Sequence, residues 1–317
     1  MSLVINTTTP EGIVLAADSR QTYRNLKGMA RIGSDNALKL FQINSRIGVG
    51  ITGLAFLEEN GILKNLSKFI EEFKRAPNIQ DMDVEEVAIK LHQIFDRKYK
   101  WKEQLDLAIE NIKQDLKMKG CEILKINKNP YNISFSYKNP QGGIEEGLAG
   151  VDMIEFLVAG YNKNGSHQVY GCYLPGEIQK KRDSNDKNNE YGSSWIGQGD
   201  VVSRIVLGFD GRIANIHFAK EAISRQGESN IFEELKSLEY AIQWGTMTLQ
   251  DGIDFCGLMI QTTSAMQRFS DGINADPGDM PGVGGPIDIA VITPDNGFVW
   301  INKKKLRFRG NEVEINY

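Results

Sequence analysis

At 317 residues and 41% hydrophobic content, the chain is long enough for one large domain or two with a sizeable buried core. A formal net charge of −4 argues against nucleic acid as the default partner, and no apolar run approaches membrane-spanning length. Cys121, Cys172 and Cys256 are odd in number, scattered and without CxxC spacing; with no secretory leader evident, reduced thiols in the cytoplasm are the simplest expectation. His92, His167 and His217 form no HExxH or similar pattern, so neither a metal nor an organic cofactor is expected.

The chain opens with Ser2, an apolar strand, and the run Ile13-Val14-Leu15-Ala16-Ala17-Asp18-Ser19-Arg20. Pro10-Glu11-Gly12 between them is good turn chemistry, Pro fixing φ and Gly tolerating positive φ, so a hairpin is predicted. Strand character then dominates to Gly53. Phe56, Ile62, Leu63, Leu66, Phe69, Ile70 and Phe73 fall at helical spacing and predict a helix over 55–75, stopped by Pro77. Asp83 before Val84-Glu85-Glu86 caps a second helix, whose pattern continues past Lys100 to about 119. Two strands followed by two helices fit a layered fold with helices packed over a sheet.

Beyond this, residues 100–153 combine a charged helix, a strand-like 131–137 and a turn region at 140–150. The polar stretch 179–190 reads as a flexible loop on composition. Trp195-Ile196-Gly197-Gln198-Gly199 precedes a helix from about Asp200; a helix over 249–269 and a strand over 287–293 follow. Residues 303–309 are locally basic, and the alternation in their second half suggests a solvated edge strand.

The opening resembles a proteasome β-type subunit, a member of the N-terminal-nucleophile hydrolases, in a divergent prokaryotic-type form. In that family the first strand carries the nucleophile as residue one, and the second ends in Ala-x-Asp/Glu-x-Arg. The acid lies sixteen positions after the nucleophile, as Asp18 lies sixteen after Ser2. Lys39-Leu40-Phe41-Gln42-Ile43 matches the family's lysine segment, and Ile47-Gly48-Val49-Gly50-Ile51-Thr52-Gly53 its glycine-rich strand end. Phe156-Leu157-Val158-Ala159-Gly160-Tyr161 and Gln168-Val169-Tyr170 look like the strand pair that opens the second sheet. The resemblance implies a four-layer α-β-β-α sandwich of two antiparallel sheets. It implies one domain over 1–317, with insertions near 100–153, 179–190 and 270–282.

The same resemblance implies a site. Ser2, exposed by removal of Met1, would be the nucleophile, Asp18 and Lys39 its catalytic partners, and an N–H at Gly53 the oxyanion donor. Ser19, Arg20, Gln198 and Asp279 would support them. Gln198 and Val283 stand where the family's peptidases carry serines, and Asp271, Asp276 or Asp279 would have to replace a displaced aspartate. Serine also replaces the usual threonine, losing the β-methyl group that restricts χ1. Thr7-Thr8-Thr9 is the tempting wrong nucleophile, but cleavage there would leave eleven positions to Asp18 and remove most of the first strand.

Chemically, a serine hydroxyl needs a base. The α-amine of an N-terminal residue, with a reference pKa of ~7.7–8.0, can supply it without a histidine. Each residue also has a plain structural explanation: Ser2 behind a retained Met1, a buried Asp18–Lys39 ion pair, and Gly53 for close strand packing. The expected function is peptide-bond hydrolysis in a homo-oligomeric ring acting on peptides or unfolded chains, compatible with an unfoldase partner. Two alternatives stand beside it: an amidohydrolase of the same superfamily acting on a small amide, and an inactive scaffold keeping the fold.

Overall fold

The computed structural model describes residues 2–25, 27–273, 276–277, 280–308 and 311–313. β1 (Leu3–Thr9) and β2 (Gly12–Ala17) pair antiparallel around the two-residue tip Pro10-Glu11, as the turn chemistry predicts. Every residue of both strands is buried, the mark of a sheet covered on both faces. A hairpin of β3 (Gln21–Arg24) and β4 (Ala30–Ser34) follows, then β5 (Leu40–Gln42) and β6 (Ile47–Gly53).

The helix expected over 55–75 begins only at Leu66. Its first part is instead a hairpin of β7 (Phe56–Glu59) and β8 (Ile62–Asn65), with α1 (Leu66–Phe73) after it. The cause is Asn60-Gly61, whose φ values of 55° and 76° are both positive, as a two-residue type I′ turn requires. Phe56, Ile62 and Leu63, which mimic helical spacing, are exposed. Asn65 then caps α1, its side chain accepting from the Ser67 N–H at 2.9 Å.

α2 (Val84–Lys98) starts at the Asp83–Glu86 capping box. The helical pattern past Lys100 is a separate element, α3 (Trp101–Met118). Tyr99 makes the break: it is extended and buried, and its hydroxyl donates to the Asp152 carbonyl at 2.5 Å. The 100–153 stretch thus contains α3 and a three-stranded antiparallel sheet of β9 (Glu122–Lys128), β10 (Ile133–Lys138) and β11 (Ile144–Ala149).

β12 (Ile154–Tyr161), β13 (His167–Leu174) and β14 (Ile178–Asp183) come next. Residues 179–183 of the segment read as a loop at 179–190 are therefore strand. They are polar because β14 is the edge of its sheet, where lysines are common. β15 (Gly192–Gly197), α4 (Asp200–Val206), α5 (His217–Gln226), α6 (Glu228–Leu235) and α7 (Leu249–Phe269) continue the chain. A short pair, β16 (Gly272–Ile273) and β17 (Asp276–Pro277), precedes β18 (Asp288–Thr293) and β19 (Gly297–Asn302). The alternating basic segment contributes β20 (Leu306–Phe308), paired with β21 (Asn311–Val313).

Two five-stranded sheets carry the core, in the orders β15-β1-β2-β18-β19 and β14-β13-β12-β6-β5, and their pairings are antiparallel. The period-two alternation of β1 sorts its side chains between two layers. Val4, Ile13 and Leu15 point between the sheets towards Leu157, Ala159 and Val169. Leu3, Ile5, Val14 and Ala16 point outward to Val202 of α4 and Cys256, Met259 and Ile260 of α7. On the far side, Val49, Phe156 and Val158 meet Phe69 and Ile70 of α1 and Val87, Leu91 and Phe95 of α2. The result is a four-layer α-β-β-α sandwich, as the resemblance implied. No described helix is long and apolar enough to cross a membrane.

Candidate active site

Pairing of β1 with β2 puts Val4 opposite Ala17, so Asp18 arrives beside the start of β1. The Asp18 N–H donates to the Leu3 carbonyl at 3.2 Å, and the Leu3 N–H returns to Asp18 Oδ1 at 2.9 Å. Lys39, just before β5, is fixed by its own carbonyl, which accepts from the Ile51 N–H of β6 at 2.9 Å. Its Nζ lies 2.7 Å from Asp18 Oδ1 and also donates to the Arg20 carbonyl. Asp18 Oδ2 accepts from the Arg20 and Gly284 N–H groups, each at 3.0 Å. Asp18 is wholly buried and Lys39 5% exposed, so this pair sits in a poorly solvated environment. Burial lowers the Lys39 pKa, the adjacent Asp18 carboxylate pulls it back up, and the Lys304 and Arg20 charges lower it again; the net direction is down.

Ser2, Lys39, Thr52 and Gly53 line one cleft, together with Thr22 and Leu38. The cleft offers about 40 Å³ to water. The Ser2 carbonyl accepts from the Gln198 N–H at 2.7 Å. Gly197, with φ 82°, packs against that carbonyl so closely that a Cβ there would lie 2.1 Å from the oxygen. Gly53 is constrained in the same way: its φ is 92°, and a Cβ would fall 1.9 Å from the Met153 carbonyl oxygen. Glycine is therefore needed at 53 on packing grounds alone.

The expected supporting residues divide. Ser19 is buried; its N–H donates to the Gly284 carbonyl at 2.9 Å, and its hydroxyl has no partner among the described residues. Arg20 turns towards Asp35, with Nε 2.7 Å from Oδ1, and its guanidinium lies over Gly284. Gln198 Oε1 accepts from Gln267 Nε2 at 3.0 Å, and Gln267 Oε1 accepts from the Gly282 and Val283 N–H groups at 2.9 and 2.8 Å. Val283 is buried in the core under the first sheet. Asp279, like Met1, lies outside the described residues. Asp271 is exposed at the end of α7.

Sequence reasoning missed Asp35, Glu155, Gln267 and the Gly284 N–H. The carboxylate of Glu155 accepts from Thr52 Oγ1 and from the Gly197 N–H, both at 2.8 Å. Gly284 lies in the glycine-rich run at 282–285 and Asp35 only four residues before Lys39, whereas Glu155 and Gln267 reach the site from distant parts of the chain. Thr7, Thr8 and Thr9 are buried in β1, where Thr7 Oγ1 meets Cys256 Sγ at 3.2 Å and Thr9 Oγ1 donates to the Gly12 carbonyl at 3.2 Å. Among the described residues no three His, Cys, Asp or Glu side chains gather in a way that could hold a metal.

The chain matches no protein-family model and no curated protein. Among solved structures it is similar to Anbu (ancestral beta-subunit) from Yersinia bercovieri, with 13% identity, coverage of 95% of this chain and 88% of that one, and a TM-score of 0.43. The fold assignment rests on the layers and strand registers themselves.

Proposed function

We propose that the chain is an N-terminal-nucleophile hydrolase that cleaves peptide bonds, with Ser2 as the nucleophile once Met1 is removed. The observation that carries this reading is that Ser2 and Lys39, the latter paired with buried Asp18, line one cleft. In the first step the Ser2 Oγ–H proton passes to the α-amine as Oγ bonds to the substrate carbonyl carbon. The C–N bond then breaks, and the ammonium returns its proton to the leaving amine. Water attacks the resulting ester by the same route, regenerating Ser2. Base assistance of this kind is typically worth roughly 10²–10⁴ in rate. The role of Lys39 is electrostatic: its positive charge disfavours protonation of the amine, and Asp18 holds it in place. The N–H of Gly53 would stabilise the oxyanion, a contribution of ~10²–10³ in kcat for one donor.

Assembly into a homo-oligomeric ring belongs to the same proposal. It is supported by the exposure of Leu258, Met266 and Phe269 on α7, large apolar side chains that a neighbouring chain would cover. A second reading, hydrolysis of a small amide, is favoured by the small volume of the cleft. Turnover of a fluorogenic peptide amide by the wild type and its loss in Ser2→Ala test the first reading. Hydrolysis of small amides with no turnover of peptides would replace it with the second. Equal turnover by wild type and Ser2→Ala would exclude both.

A further inference from the structure

We infer that Glu155 is a positioning residue for the Ser2 centre; the inference rests on the hydrolase reading above. Glu155 lies on β12 opposite Thr52 of β6, in the alternation that places Leu157 and Ala159 between the two sheets. Glu155 itself is half-buried, and its carboxylate is held by hydrogen bonds. One oxygen, Oε2, takes two: from Thr52 Oγ1 at 2.8 Å and from the Gly197 N–H at 2.8 Å.

Those donors belong to different sheets. Thr52 is on β6 of the second sheet and Gly197 ends β15 of the first, so one atom joins the layers at the mouth of the sandwich. Each donor also adjoins a different part of the site. Thr52 precedes Gly53, and both line the cleft beside Ser2. Gly197 packs on the Ser2 carbonyl, and the next N–H, that of Gln198, bonds to it. A Cβ on Gly197 would also lie 3.0 Å from Thr52 Cγ2, so the two residues pack side by side. Glu155 therefore holds the nucleophile's backbone and the Thr52–Gly53 strand end in one frame. Bonds to a charged acceptor are about twice as strong as neutral ones, which suits this task.

The test is the rate at which a peptide epoxyketone labels Ser2, followed by intact mass, with kcat and KM on a fluorogenic peptide. Glu155→Ala is expected to label about 10–100-fold more slowly, a loss in kcat with KM within about threefold, since a displacement near 1 Å can cost ~10². Glu155→Gln keeps an acceptor oxygen and is expected to recover most of the rate. Thr52→Val removes one arm without changing volume, should fall between them, and carries the test if Glu155→Ala does not fold. Hydrogen exchange at the Gly197 amide should quicken in Glu155→Ala and not in Glu155→Gln. A wild type that labels, with a folded Glu155→Ala that labels equally fast, overturns the inference alone; so does a Glu155→Gln as slow as Glu155→Ala. A wild type that never labels overturns the proposed function, and this inference with it.

Discussion

Replacing Lys39 by Met tests the site's charge and its structural role together. The substitution keeps an unbranched apolar stem and removes the ammonium that lies 2.7 Å from Asp18 Oδ1. Asp18 would remain fully buried but keep three backbone donors, the N–H groups of Leu3, Arg20 and Gly284. Breaking a buried pair by removing one partner costs about 3–5 kcal/mol. Two features put this case at the lower end, about 3 kcal/mol: the surviving donors, and the desolvation of Lys39 that the variant no longer suffers. A domain with a stability of ~5–15 kcal/mol would stay folded without denaturant. Urea unfolding followed by circular dichroism measures the first quantity, and the rate of Ser2 labelling the second. The labelling rate should fall by roughly 10²–10⁴ if Lys39 sustains the base. A Lys39→Met protein that labels within threefold of wild type would refute the electrostatic role. A stability change below about 1 kcal/mol would refute the buried pair as a structural element.

Three further outcomes follow from the same geometry. Gly53→Ala, forced to φ 92° with its Cβ against the Met153 carbonyl, should lose about 2–4 kcal/mol in urea unfolding and label Ser2 poorly. Gly61→Ala strains the β7–β8 turn at φ 76° and should cost about 1 kcal/mol while leaving labelling unchanged; an unaltered Cm would contradict the type I′ turn. At Asp183, partial burial pushes the carboxyl up, but hydrogen bonds from Lys180, Asn185 and Gln168 outweigh it and hold the pKa at about 2 against an ordinary 3.8. Because the folded value is the lower one, the stabilisation is complete above pH 4–5 and disappears as pH falls through 2. At about 1.36 kcal/mol per pH unit it amounts to about 2 kcal/mol. Asp183→Asn should therefore be less stable at pH 6 and converge on wild type near pH 2, and a pH-independent gap would refute the assignment.

What could be read from the sequence was what depends on local order. Ser2, Asp18 and Lys39 are brought together by one hairpin and the strand after Lys39, so their spacing carries geometric information. Helix α7 was legible end to end, and in the structure Thr248 caps it. At 55–65 two local signals conflicted. The spacing of Phe56, Ile62 and Leu63 suggested a helix, but Asn60-Gly61, both at positive φ, decided for a hairpin. At 179–183 composition suggested a loop, whereas pairing with β13 made an edge strand, a property of the neighbour and not of the segment. Glu155, Gln267 and Gly284 could not be found by spacing, since they reach the site only through pairing and packing of distant parts of the chain. Gln198 was noticed as a departure from the family pattern; its bond to Gln267 shows an amide chain tying the Ser2 side of the site to the 282–283 loop.

The most direct test of the central claim is intact mass of the purified protein before and after treatment with a peptide epoxyketone, with the adduct mapped by digestion. Such a reagent needs both the hydroxyl and the free α-amine of one residue. Loss of Met1 and a single adduct on Ser2, with none on Thr7, is the predicted result. A retained Met1, or a free Ser2 that never labels, would contradict the hydrolase account and favour a scaffold built on the same fold.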